Sequence, residues 1–89
     1  MRAVITVIGH DTVGIIASVS EVLSQNNVNI LDISQSVLQD LFAMVMLADI
    51  SDSRVDLKQL TGALDAVGEK LGVKALVMHE DIFNSMHRI

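Results

Sequence analysis

Four short apolar or alternating segments interleaved with two amphipathic stretches predict an α+β fold: a four-stranded antiparallel sheet with two helices on one face. Three observations carry this expectation. Ala3–Ile8 is β-branched and apolar on both faces, as a central buried strand is. Leu57, Leu60, Leu64, Val67 and Leu71 recur at three- and four-residue steps, which marks one face of a helix. The segment order βαββαβ divides into 3–38 and 41–78, each about one helix and two strands, giving a split-βαβ, ferredoxin-like sandwich.

Taken in order, the first strand ends in Gly9-His10-Asp11-Thr12-Val13-Gly14, a loop bracketed by glycines. A helix starting near Val13 then places Ile15, Ile16, Val19, Val22, Leu23 and Asn26 on one face, with Ser18, Glu21 and Gln25 opposite. Gln25-Asn26-Asn27 stops it. Val28–Leu38 alternates, with Leu31, Ile33, Gln35 and Val37 on one face and Ile30, Asp32, Ser34 and Ser36 on the other. Gln39-Asp40 makes a tight turn into a third strand, Leu41–Ile50, antiparallel to the second. Ser51-Asp52-Ser53 offers N-cap residues for the second helix, Gly72 its C′ residue, and Val73–Met78 the fourth strand. Beyond a domain of residues 1–79 lies a tail of 80–89. Within it Ile82, Phe83, Met86 and Ile89 share a helical face, so a short C-terminal helix is expected.

Composition narrows the function. Eighty-nine residues make one domain, 51% hydrophobic, with a mean hydropathy of +0.50 and no Cys, Trp, Tyr or Pro. Disulfides, thiolate metal sites and cysteine nucleophiles are excluded. Six Lys+Arg against eleven Asp+Glu give a net charge of −5, and two Phe are the sole aromatics. Nucleic-acid binding needs basic density and stacking rings, so no nucleic-acid partner is expected. The longest apolar run, Leu41–Ala48, has eight residues against the ~18–20 that cross a bilayer, so no membrane partner is expected and a cytoplasmic location is. With both helices on one side, the other sheet face remains apolar, with Ala43, Val45 and Leu47 alternating against Phe42, Met44 and Met46. Such a face needs cover from the tail, a partner subunit, or both. The 28–38 edge strand offers a second place for a neighbour to pair. A homodimer or higher homo-oligomer is therefore expected.

The loop after the first strand carries the chemistry. Gly9 and Gly14 permit a sharp turn and close approach to a ligand. The helix N-terminus attracts an anion, and Asp11 can accept hydrogen bonds from an ammonium, a combination suited to a zwitterionic amino acid. A plainer reading fits the same residues: Asp11 N-caps the helix and the glycines only make the turn.

With Asn27-Val28-Asn29-Ile30 entering the second strand, this order and loop resemble the ACT domain family, over residues 1–79. The likeness is to small stand-alone ACT proteins of bacteria and, more distantly, to the glycine cleavage system regulator. The family's hallmark is D-x-P-G-I/V before the first helix. Asp11, Thr12, Gly14 and Ile15 match it, while Val13 stands where proline is commoner. The resemblance implies a small amino acid bound between paired domains. The loop of one subunit (Gly9, His10, Asp11, Thr12, Val13, Gly14 and Ile15, with Asp11 as polar anchor) would close over it, and the other subunit would supply Asn29.

Other chemistries find less support. His10 beside Asp11 lacks a nucleophile, and Thr6, Thr12 and Ser18 form no nucleophile elbow. His79, Glu80, Asp81 and His87 match no common metal-ligand spacing and read as a solvated helix end. The five Met residues read as packing. No Arg lies between Arg2 and Arg54 to bind phosphate as an acylphosphatase would. The sequence thus points to a non-catalytic regulatory module without cofactor or metal, binding a small amino acid at a homodimer interface. The competing reading is a ligand-independent interaction module that modulates a regulatory protein partner, such as a transcription factor or an enzyme, through Ile82 and Phe83.

Overall fold

A computed structural model describes residues 1–10 and 12–86, and of residues 12 and 13 the backbone alone. The order is β1 (Arg2–Gly9), α1 (Thr12–Gln25), β2 (Asn29–Leu38), β3 (Leu41–Asp49), α2 (Leu57–Leu71), β4 (Lys74–His79) and α3 (Glu80–Met86). The strands form one antiparallel sheet in the order β2-β3-β1-β4, the ferredoxin-like arrangement expected, with the apolar β1 in an interior position.

Pleating sorts the side chains. Ala3, Ile5 and Val7 of β1 stand beside Ala48, Met46 and Met44 of β3 on the helix-covered face. They pack with Phe42, Ile15, Val19, Leu23, Leu60 and Leu64 into the core. Met44 and Met46 are core residues as anticipated, but Met1 and Met86 are exposed, so the methionines do not all serve packing. On α1, Ile15, Val19 and Leu23 are buried whereas Ile16 sits at the margin of the apolar stripe and is exposed.

Helix α2 begins later than the serines suggested. Asp56 is its N-cap, accepting from Gln59 N at 2.7 Å, while Asp56 N donates to Gln59 Oε1 at 3.1 Å, a reciprocal capping box. Ser53 instead closes a turn, donating to Val55 O and accepting from Val55 N. Gly72, at φ 71°, ends the helix in the left-handed conformation that glycine adopts without steric cost.

Two departures matter for function. A register shift between Ile30 and Asp32 breaks the alternation of β2. Ile30, rather than Leu31, thereby turns toward the core. The helices also leave β2 uncovered: every residue of it except Ile30 is exposed, Ile33 and Val37 included. At the opposite edge α3 folds back over the open sheet face, where Arg2 and Glu80 form a fork (Nε–Oε1 3.1 Å, Nη2–Oε2 2.8 Å). It hides Val4, yet Ile82 and Met86 point away from the sheet, so the shared apolar face expected of the tail is split; Ile89 lies outside the described residues.

Candidate functional site

The candidate residues fall at two opposite ends of the sheet. Gly9 pairs with Phe42 at one end; at the other, Asn29 pairs with Asp49, which pairs with Arg2. Gly9 is seven residues along β1 from Arg2 (9 − 2), roughly 23 Å at ~3.3 Å per residue. Within one chain the loop and Asn29 therefore do not meet.

At the first end β1 runs almost directly into α1. The helix starts at Thr12, so Gly14 and Ile15 belong to it rather than to the loop, which is shorter than its two glycines suggested. Ile15 is a core residue, fully buried in the single chain. Gly9 is also buried on the helix-covered face: a Cβ there would lie 2.3 Å from Cγ1 of Val73 and 3.2 Å from Cδ1 of Ile15. Packing against Val73 and Ile15 therefore requires a small residue here. His10 is exposed and reaches across to the β2–β3 turn, with Nδ1 3.2 Å from Asp40 O. Asp11 lies outside the described residues, as do the side chains of Thr12 and Val13. What this end offers is the N-terminus of α1, whose first N–H groups have no partner within the helix.

At the second end Asn29 lines an open cavity of about 490 Å³ between the end of α1, the start of β2 and the loop after β3. Ser20, Ser24, Asn27, Asp49 and Asp52 line it too, and among the described residues no Lys or Arg does. Asn27 adopts φ 59°, a left-handed conformation that asparagine tolerates, and closes α1 while its Nδ2 donates to Asp52 O at 3.0 Å. Asp49 Oδ1 accepts from Ser51 N at 2.9 Å. Hydrogen bonds from Ser51, side chain first and then backbone, hold the Asp49 carboxyl below the usual aspartate range. The Met1 ammonium donates to Ser51 Oγ at 2.7 Å beside it. This acidic and amide-rich cavity suits a group that donates hydrogen bonds. Of its polar residues the sequence singled out Asn29; the others converge only because strand ends and a helix end meet here.

The described residues at the start of the tail pair with β1 and with one another. Glu80 is taken by Arg2, and His79 Nδ1 accepts from Asp81 N at 3.0 Å, closing the first turn of α3. His87 lies outside the described residues. Among the described residues no cluster of His, Asp and Glu is placed to hold a metal, and no helix is long and apolar enough to cross a membrane.

Comparison with known proteins agrees with this architecture. Residues 2–78 match the sequence profile of the ACT domain. A UPF0237 protein of Methanocaldococcus jannaschii is 56% identical over 88 residues, covering 99% of this chain and 98% of that one. A UPF0237 protein of Clostridium acetobutylicum is 52% identical over the full length of both. Among solved structures, an ACT domain protein from Streptococcus pneumoniae superposes with a TM-score of 0.81 at 40% identity, covering 93% of each chain. The regulatory subunit of aspartate kinase from Thermus thermophilus shares the fold, with a TM-score of 0.66 at 24% identity over 86% of this chain and 50% of that one. The chain belongs to the ACT domain family.

Proposed function

We propose that this protein is a non-catalytic, cytoplasmic regulatory module that binds a small amino acid between two copies of itself. The domain of residues 1–79 is the sensing unit in this reading. The observation that supports it is that Gly9 and Asn29 lie at opposite ends of the sheet, beside an edge strand that no described element covers. Two β2 edges paired antiparallel about a two-fold axis set the Gly9–Ile15 end of one copy beside the Asn29 end of the other. A zwitterion then fits lengthwise. Its carboxylate lies toward the α1 N-terminus of one copy, and its ammonium lies toward Asp11 and the Asn29 cavity with Asp49 and Asp52. In this reading Gly9 and Ile15 pack behind the loop, and His10, Asp11, Thr12, Val13 and Gly14 are the residues assigned to the ligand. Occupancy is thereby linked to assembly, which is how such a module would signal.

Titration calorimetry against the twenty amino acids, with the mass in solution measured in parallel, tests this reading. Binding of one small amino acid, lost in Asn29→Ala and in Asp11→Ala, is expected. A folded dimer that binds none at millimolar concentration would reject the ligand, and a stable monomer with or without amino acids would reject the shared site.

A further inference from the structure

Away from α1 and α2, the sheet divides into two unequal halves. Near Arg2 and Val4 it is covered by α3, a layer about 10 Å thick. Toward the other end no described element covers it, and Ile8, Val45 and Leu76 are 39%, 36% and 46% exposed around Thr6. The covering helix is itself apolar on both sides: Phe83 faces the sheet, whereas Ile82 and Met86 are 55% and 65% exposed. Each protomer therefore presents a step, with an apolar ridge beside an apolar shelf.

We propose that this stepped face docks on the same face of a second copy. Turning one copy by 180° about an axis running across the strands lays each α3 on the other's bare half. The two tail helices then lie side by side in one layer between two sheets, with Ile82 and Met86 against Ile8, Val45 and Leu76. Charge agrees with this choice of partner. Lys74 stands on the open face beside Ile8, at the bare end of β4. The rotation brings it over the far end of the second copy's β4, where α3 opens with Glu80 and the exposed Asp81. The Lys74–Asp81 approach occurs twice by symmetry, at the rim of an apolar centre, as in isologous interfaces. The contact does not use the edge of β2, so it can coexist with edge pairing and stands or falls independently of the ligand.

The chain contains no Cys, which makes a direct test simple. Lys74→Cys and Asp81→Cys variants, mixed and oxidised, should give a disulfide-linked dimer several-fold above that from either alone. Leu76→Asp in both should abolish that excess. Ile82→Ser, on an exposed helix position, should reduce it several-fold and guards against misfolding of the first variant. A mixture showing no excess, or an excess unchanged by Leu76→Asp and Ile82→Ser in folded protein, overturns the proposal and leaves the face to a different partner.

Discussion

Val73 occupies the space that a side chain on Gly9 would need: its Cγ1 lies 2.3 Å from where that Cβ would stand. The contact joins the end of β1 to the residue leading into β4, directly beneath the candidate loop. Gly9→Ala should destabilise the fold by about 1–3 kcal/mol through overpacking, measured by urea unfolding. Gly9→Ala combined with Val73→Ala should recover part of that loss. Strictly additive effects in the double-mutant cycle would contradict the contact.

Asp56 and Gln59 satisfy one another's backbone donors at the start of α2 through two reciprocal hydrogen bonds. Asp56→Ala should cost about 1 kcal/mol in chemical unfolding. Ser53→Ala, which disturbs a turn and not the helix start, should cost less. The reverse ranking would mean that the helix starts at the serines after all.

Asp49 should titrate below the ordinary aspartate range when followed by NMR, and Ser51→Ala should raise it. The sign of the linked stability follows from the lowered folded-state value. The contribution is complete above the ordinary aspartate range and fades as pH falls through the lowered one. The Asp49 side chain is 41% exposed, so solvent screens it and the titration curve is the sensitive readout rather than the melting temperature.

Phe83 packs α3 against β1 and β3 beside Val4 and Leu47. Phe83→Ala should destabilise by about 1–2 kcal/mol, less than the ~3–5 kcal/mol of a fully buried phenylalanine. Amide exchange should quicken in α3 before it does in β1. Uniform loss of protection across the sheet would show instead that α3 is an integral part of the core.

The sequence by itself determined the element order, the antiparallel pairing and the helix-facing core. Each is written in local periodicity: the β-branched run of β1, the leucine stripe of α2, the alternation of β3. It also carried the family resemblance in residues 9–15. Tertiary structure decided what periodicity cannot encode. The bulge at Leu31 exists because β2 must stay in register with β3. Gly9 is small because Val73, distant in sequence, packs against it. The cavity around Asn29 forms where a helix end and two strand ends converge. Above all, Gly9 and Asn29 stand at opposite ends of the sheet, since α1 carries the chain back along its length and β2 starts at the end where β1 does. A local pattern names the candidate residues; the return through α1 and the register of β1, β2 and β3 decide that one chain does not bring Gly9 and Asn29 together.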